Sequence, residues 1–148
     1  MAVEAQPFVR EVRIAARPET VFACFTEPSL LVRWKGAEAT LEPQPGGLYR
    51  VVMGPGGDVV RGEYVEVVPH SRLVFTWGFE GEGGLLPAGA STVEVTFTPE
   101  GEGTLVRLVH RDLPGDVRDA HARGWAHYLD RLRRVAAGQD PGPDDWSR

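Results

Sequence analysis

The chain has 148 residues with 16 basic and 21 acidic side chains, long enough for one domain with its own core. Its 42% hydrophobic and 25% charged content is that of an ordinary water-soluble protein, and no apolar run approaches the roughly 20 residues of a membrane span. An acidic chain without a basic stripe is a poor nucleic-acid partner, and the single cysteine, Cys24, excludes an internal disulfide and fits a reducing cytoplasm.

The N-terminus, MAVEAQPFVREVRI, has no basic segment followed by an apolar one, so it does not read as a signal peptide. Phe8 to Ile14 alternates as a strand. Pro18 suits the first position of a short helix ending before Pro28, and Pro28 opens a second that stops at Gly36. Six strand-like segments follow: AEATLEP, GGLYRVVM, DVVRGEYVEVVP, RLVFTWGF, STVEVTFTP and TLVRLVH. Turn chemistry separates them at Pro45-Gly46-Gly47, Gly54 to Gly57, Pro69-His70-Ser71 and Pro99-Glu100-Gly101. Such short connections imply antiparallel neighbours. A long helix runs from about Gly115 to Ala137, closed by Gly138, and the tail QDPGPDDWSR is too rich in Pro and Asp to continue it. The order predicts an α+β layer arrangement: seven antiparallel strands, one long C-terminal helix and two short helices after the first strand. The chain reads as a single domain over 1–148, with its body over about 8–138 and a tail over about 139–148.

Strand parity selects the inward side chains. Val93, Val95 and Phe97 share a face, as do Thr104, Val106, Leu108 and His110, with Arg107 marking the outside. Leu73, Phe75, Trp77 and Phe79 share another, and Tyr49, Val51 and Met53 oppose Arg50. Around Tyr64 and Val65 the alternation fails, which predicts a bulge. The long helix carries a stripe of Val117, His121, Gly124, Trp125, Tyr128, Leu132 and Val135, opposite Arg118, Asp119, Asp130, Arg133 and Arg134. A glycine in a helix interior costs roughly 0.5–1 kcal/mol against alanine. Gly124 on the inward stripe therefore marks either close packing of helix on sheet or room for a ligand. One basic residue alone, Lys35, is lysine, which reads as genome composition.

The ordered set of segments resembles the SRPBCC superfamily of helix-grip proteins, which includes START domains, aromatic polyketide cyclases and the birch-pollen allergen. Within it the chain is similar to the bacterial branch related to the activator of heat-shock-protein-90 ATPase. The resemblance rests on RIAARPETVFACFTEPSLLVRW, PGGLYRV, GEYVEVVPHSRLVFTW, STVEVTFTPEGEGTLVRLVH and HARGWAHYLDRL. It implies a seven-stranded curved sheet wrapped around the long helix, with a cavity between them. It leaves activity open, because members bind, transfer, cyclise or act as co-chaperones on one scaffold. Co-chaperone activity in the eukaryotic relatives involves an additional N-terminal domain; with about seven residues ahead of the first strand, the sequence departs from that pattern, and chaperone activation is not the leading expectation.

No nucleophile elbow, metalloprotease helix, paired-cysteine motif or phosphate loop is present. Gly81 to Gly84 has no helix start behind it, and Ser29 and Ser71 read as caps or turns. His110 and His121 form the candidate acid/base pair, with a satisfied, partly buried histidine as the plainer alternative for each. The two lack a carboxylate partner, so neither a metal site nor a cofactor is expected. Trp34, Tyr49, Tyr64, Phe75, Trp77, Phe97, Leu108, His110, His121, Gly124, Trp125 and Tyr128 are the candidate ligand-binding residues; plain core packing is the alternative. Cys24, between Phe22 and Phe25, reads as inert core. The loop Glu80 to Ala90 is expected to expose Leu85 and Leu86 as a lid or a homodimer contact, and Trp146 to pack back or meet a partner. The leading expectation is a cytoplasmic binding protein for a hydrophobic, lipid-like or aromatic small molecule. A cyclase- or hydrolase-like enzyme and a co-chaperone-like interaction module are the alternatives; the scarcity of catalytic motifs weighs against the enzyme.

Overall fold

The computed structural model describes residues 6–54, 58–81 and 86–144. The elements are β1 (Phe8–Ile14), α1 (Pro18–Thr26), α2 (Pro28–Leu31), β2 (Glu38–Leu41), β3 (Leu48–Val52), β4 (Val59–Val68), β5 (Arg72–Trp77), β6 (Ser91–Glu100), β7 (Gly103–Arg111) and α3 (Gly115–Ala136). Both short helices begin on proline, and the residues before them, Arg17 and Glu27, are extended, as a following proline requires. The seven strands form one antiparallel sheet in the order β1-β7-β6-β5-β4-β3-β2, curved around α3 in a helix-grip arrangement. Gly138, at φ 81°, ends α3, and the Gln139 N–H returns to the Arg134 carbonyl at 2.8 Å.

Parity predicts the core well. Val93, Val95 and Phe97 of β6 and Thr104, Val106, Leu108 and His110 of β7 are all buried, while Arg107 is exposed. The β4–β5 register shifts between Tyr64 and Glu66, so the expected bulge is present; it buries Tyr64 and leaves Val65 53% exposed. Leu86 corrects an expectation: it is not exposed but buried in the core at 3%. The Phe79 N–H bonds the Leu86 carbonyl at 2.9 Å and Phe79 bridges Pro87, which lays this segment across the end of β5. Gly78 allows the approach, since a Cβ there would overlap the Pro87 carbonyl. Segments 55–57, 82–85 and 145–148, with Leu85, Trp146 and Ser147, lie outside the described residues.

The long helix is buried unevenly. Trp125, Tyr128, Leu129, Arg131, Leu132 and Val135 are buried, all in its second part. Val117, His121 and Gly124 are only partly covered, and no residue of α3 ahead of Trp125 is buried. The C-terminal part of the helix is the more deeply buried, and the N-terminal part packs on the core through the partly buried Val117, His121 and Ala122. No helix among the described residues is long and apolar enough to cross a membrane.

Candidate functional site

The site begins at the turn after α2. Trp34 is a peg there: its indole N–H donates to the Cys24 carbonyl at 2.9 Å, and its own carbonyl accepts from Arg131 Nε at 3.1 Å. The Lys35 N–H closes the last turn on the Leu31 carbonyl at 2.9 Å. Gly36 follows at φ 85°, with Val51 Cγ1 and the Val52 carbonyl where a Cβ would stand. Only glycine combines that left-handed backbone with that approach. The peg and the glycine together turn the Lys35 side chain inward.

Lys35 is 2% exposed. Its Nζ lies 3.7 Å from the ring centroid of Trp77 and 4.4 Å from that of Trp125, and it has no hydrogen-bond partner. Two effects oppose each other here. Indole faces favour an ammonium, by about 2 kcal/mol or more each when desolvated. Full burial of a lysine without a counter-ion disfavours the charge more strongly, by up to 3–5 pKa units, each about 1.4 kcal/mol. Desolvation wins and holds the amine well below its ordinary range.

Two imidazoles complete the cluster. Trp125 Nε1–H donates to His110 Nδ1 at 3.0 Å. An indole nitrogen is a donor only, so the His110 proton sits on Nε2, which faces Ser91 Oγ at 2.8 Å. The Ser91 hydroxyl in turn donates to the Trp77 carbonyl at 2.8 Å. Trp77 Nε1–H donates to His121 Nε2 at 3.2 Å, which leaves His121 Nδ1–H for the Val117 carbonyl at 3.0 Å. The two rings stand 5.2 Å apart and nearly perpendicular. Burial is the main cause that lowers both histidines. Both are therefore neutral rings with tautomers set by tryptophan donors.

From Trp77 the aromatic surface continues to Tyr49, which stacks on Phe75 at 4.2 Å, and to Tyr64, edge-on to Tyr49 at 5.8 Å. The buried Tyr64 hydroxyl has no hydrogen-bond partner, and burial raises its pKa. Lys35 Nζ and Tyr64 Oη are the two buried side-chain polar atoms without a partner among the described residues.

The twelve sequence candidates divide into groups. Trp77, His110, His121 and Trp125 surround Lys35; Tyr49, Tyr64 and Phe75 form the adjoining patch. Trp34 and Phe97 lie with Phe22 and Phe25 in a separate aromatic group, and Leu108 is buried on β7. Gly124 is half-buried, and Tyr128 turns to the tail, where its hydroxyl donates to Asp144 at 2.9 Å. Sequence reasoning missed Lys35, Ser91 and Arg131. Ser91 shares the inward parity of Val93, and that signal was available. Lys35 follows a tryptophan in a turn and has no periodic context, so nothing local marks it as buried. Among the described residues no group of three or more His, Cys, Asp or Glu side chains could hold a metal. A separate hollow of about 390 Å³, lined by Glu42, Arg61, Glu63 and Thr76 among others, involves outward-facing positions of β4 and β5.

The family model "Activator of Hsp90 ATPase homolog 1-like protein" matches residues 15–137. The chain belongs to this family. The human activator of 90 kDa heat shock protein ATPase homolog 1 is 30% identical over 112 residues, which are 75% of this chain and 31% of that protein. The chain thus spans about a third of the curated relatives it matches. The AHSA1-like protein RHE_CH02687 of Rhizobium etli superposes with a TM-score of 0.72 at 44% identity, covering 99% of this chain and 93% of that one. DynU16, a protein of the dynemicin biosynthetic locus, superposes with a TM-score of 0.78 at 26% identity, covering 93% of this chain and 50% of its own. Within this AHSA1-like chain, the matched span contains the whole Lys35 cluster.

Proposed function

We propose that this AHSA1-like protein binds a small molecule with an apolar, aromatic-sized body between α3 and the sheet. The observation that carries the reading is the pair of buried polar atoms, Lys35 Nζ and Tyr64 Oη, left without partners beside Trp77, Trp125, Tyr49 and Phe75. An unsatisfied buried polar group costs about 1–3 kcal/mol, and a ligand carrying a carbonyl or carboxylate would recover that cost. Each 100 Å² of apolar ligand surface covered adds roughly 2.5 kcal/mol. The likeness to a protein of a small-molecule biosynthetic locus supports the same reading. Native mass spectrometry on protein gently purified from its own host tests it. A reproducible added mass that leaves on denaturation is expected, and should be weakened by Lys35→Met. A clean unliganded mass, together with no response of tryptophan fluorescence to a panel of aromatic carbonyl and carboxylate compounds, overturns it.

The match to the Hsp90-activator family over residues 15–137 favours a second reading, an interaction module for a chaperone of the Hsp90 class. Its test is the ATPase rate of the cognate chaperone with and without this protein; an unchanged rate rejects it.

A further inference from the structure

We propose that Lys35 is a nucleophilic amine that captures the carbonyl group of an aldehyde or ketone ligand as an imine. This rests on the binding reading above and names the chemistry of its polar end. The geometry has three parts. Nζ is free of any hydrogen bond, so its lone pair is not committed to a neighbour. It lies against the faces of two indoles, at 3.7 and 4.4 Å, in a place almost closed to water. The His110 and His121 imidazoles of the same cluster are neutral rings whose nitrogens are already committed to hydrogen bonds with Trp77, Trp125, Ser91 and Val117.

Each part serves a step. An unprotonated amine is the reactive form of lysine, and desolvation is the ordinary way a protein obtains it near neutral pH. The Nζ lone pair attacks the carbonyl carbon; both amine protons pass to the former carbonyl oxygen, which leaves as water. The balance is amine plus carbonyl giving imine plus water, with no oxidant or reductant. A protonated imine would be a cation on the same two indole faces that hold Nζ, and those faces favour it electrostatically. Exclusion of water opposes the reverse hydrolysis. Entry falls to the first part of α3: no residue before Trp125 in that helix is buried, and parting it from the sheet gives up the Trp77–His121 hydrogen bond and the partial packing of Val117 and Ala122 on the core.

The composition makes the test unusually clean. Lys35 is the single lysine, so the other primary amine is the N-terminal α-amine. The folded protein is incubated at neutral pH with 2-naphthaldehyde and cyanoborohydride, digested with trypsin, and mapped by mass. Reduction leaves one adduct of the aldehyde mass less one oxygen. Modification also blocks cleavage after Lys35, so the adduct appears on the peptide Trp34–Arg50. The expected result is labelling of that peptide in preference to the N-terminal one, with the preference reversed in concentrated guanidinium. There, lysine returns to its ordinary range and the α-amine is the less protonated of the two. Labelling of the α-amine alone in the folded protein overturns the proposal, as does equal preference in the folded and unfolded states. Naphthalene-2-methanol, which cannot form an imine, separates the two ideas. If it quenches tryptophan fluorescence while no Lys35 adduct forms, the imine fails and the binding reading stands; if neither compound binds or reacts, both fail.

Discussion

Lys35→Met is the most informative single perturbation. The substitution keeps an unbranched side chain of similar length in the Trp77–Trp125 slot and removes the one amine. In the folded protein Nζ is buried without a partner, and removing such a group recovers about 1–3 kcal/mol. Because burial holds the amine well below its ordinary range, the cation–π gain of an ammonium on Trp77 and Trp125 is not collected near neutral pH. Near pH 10 the variant is therefore expected to be more stable than the parent by about 1–3 kcal/mol, a rise of roughly 2–4 °C in Tm for each kcal/mol in a chain of this size, and by about 1.4 kcal/mol more for each pH unit below that until the folded value is reached. The sign with pH follows from proton counts. Between the depressed folded value and about 10.5 the unfolded chain binds a proton that the folded chain does not, so the parent gains stability as pH rises through that window. Above the unfolded value this contribution is complete; it is lost as pH falls toward the folded one. The advantage of Lys35→Met should thus be largest at low pH and shrink toward about pH 10. The groups facing Lys35 include His110 and His121, both also lowered by burial. They are present in both proteins, so the parent-minus-variant difference isolates Lys35 above about pH 7. Urea melts from about pH 7 to pH 10 measure it. A variant less stable than the parent at neutral pH, or a difference that does not change with pH, would show that Lys35 is held as a stabilising ammonium and would refute the reasoning.

Four further outcomes follow from the same contacts. His110→Phe keeps a ring in place but strands the Trp125 N–H, while the Ser91 hydroxyl keeps its bond to the Trp77 carbonyl; urea melts should show a loss of about 1–3 kcal/mol for the buried N–H left unpaired. Tyr64→Phe removes a hydroxyl with no partner, so stability should hold or rise by about 1 kcal/mol, and a clear loss would show that the hydroxyl is bonded in solution. Arg131 joins the turn after α2 to the tail through Nε to the Trp34 carbonyl and NH1 to the Gly142 carbonyl at 3.0 Å. Arg131→Lys, without the planar fork, should speed hydrogen exchange in 139–144 and cost about 1–3 kcal/mol. Cys24 is buried and its thiol is pushed up to about 11; iodoacetamide near pH 8 should label it only after unfolding, as intact-mass measurement would show.

Much of the fold was written locally. The alternation of Phe8–Ile14, Ser91–Glu100 and Gly103–Arg111, the prolines opening α1 and α2, and Gly138 closing α3 are short-range signals, because a two-residue or 3.6-residue period and a φ restriction act within a few residues. The failed alternation at Tyr64 and Val65 even located the bulge. The same periods placed Trp77, His110, His121 and Trp125 on inward faces. What tertiary structure alone decided is which of these meet and what stands between them. Leu86 looked exposed in a glycine-rich loop, and its burial depends on the pairing of that loop with Phe79. The histidine tautomers follow from indoles 15 and 44 residues away in the chain. Lys35 lies in a turn where no period applies. Its burial is set by Trp34 bonding back to Cys24, by Gly36 fitting against Val51, and by two tryptophans from β5 and α3. The charge state of an amine depends on everything that displaces water from it, and that is assembled from the whole chain.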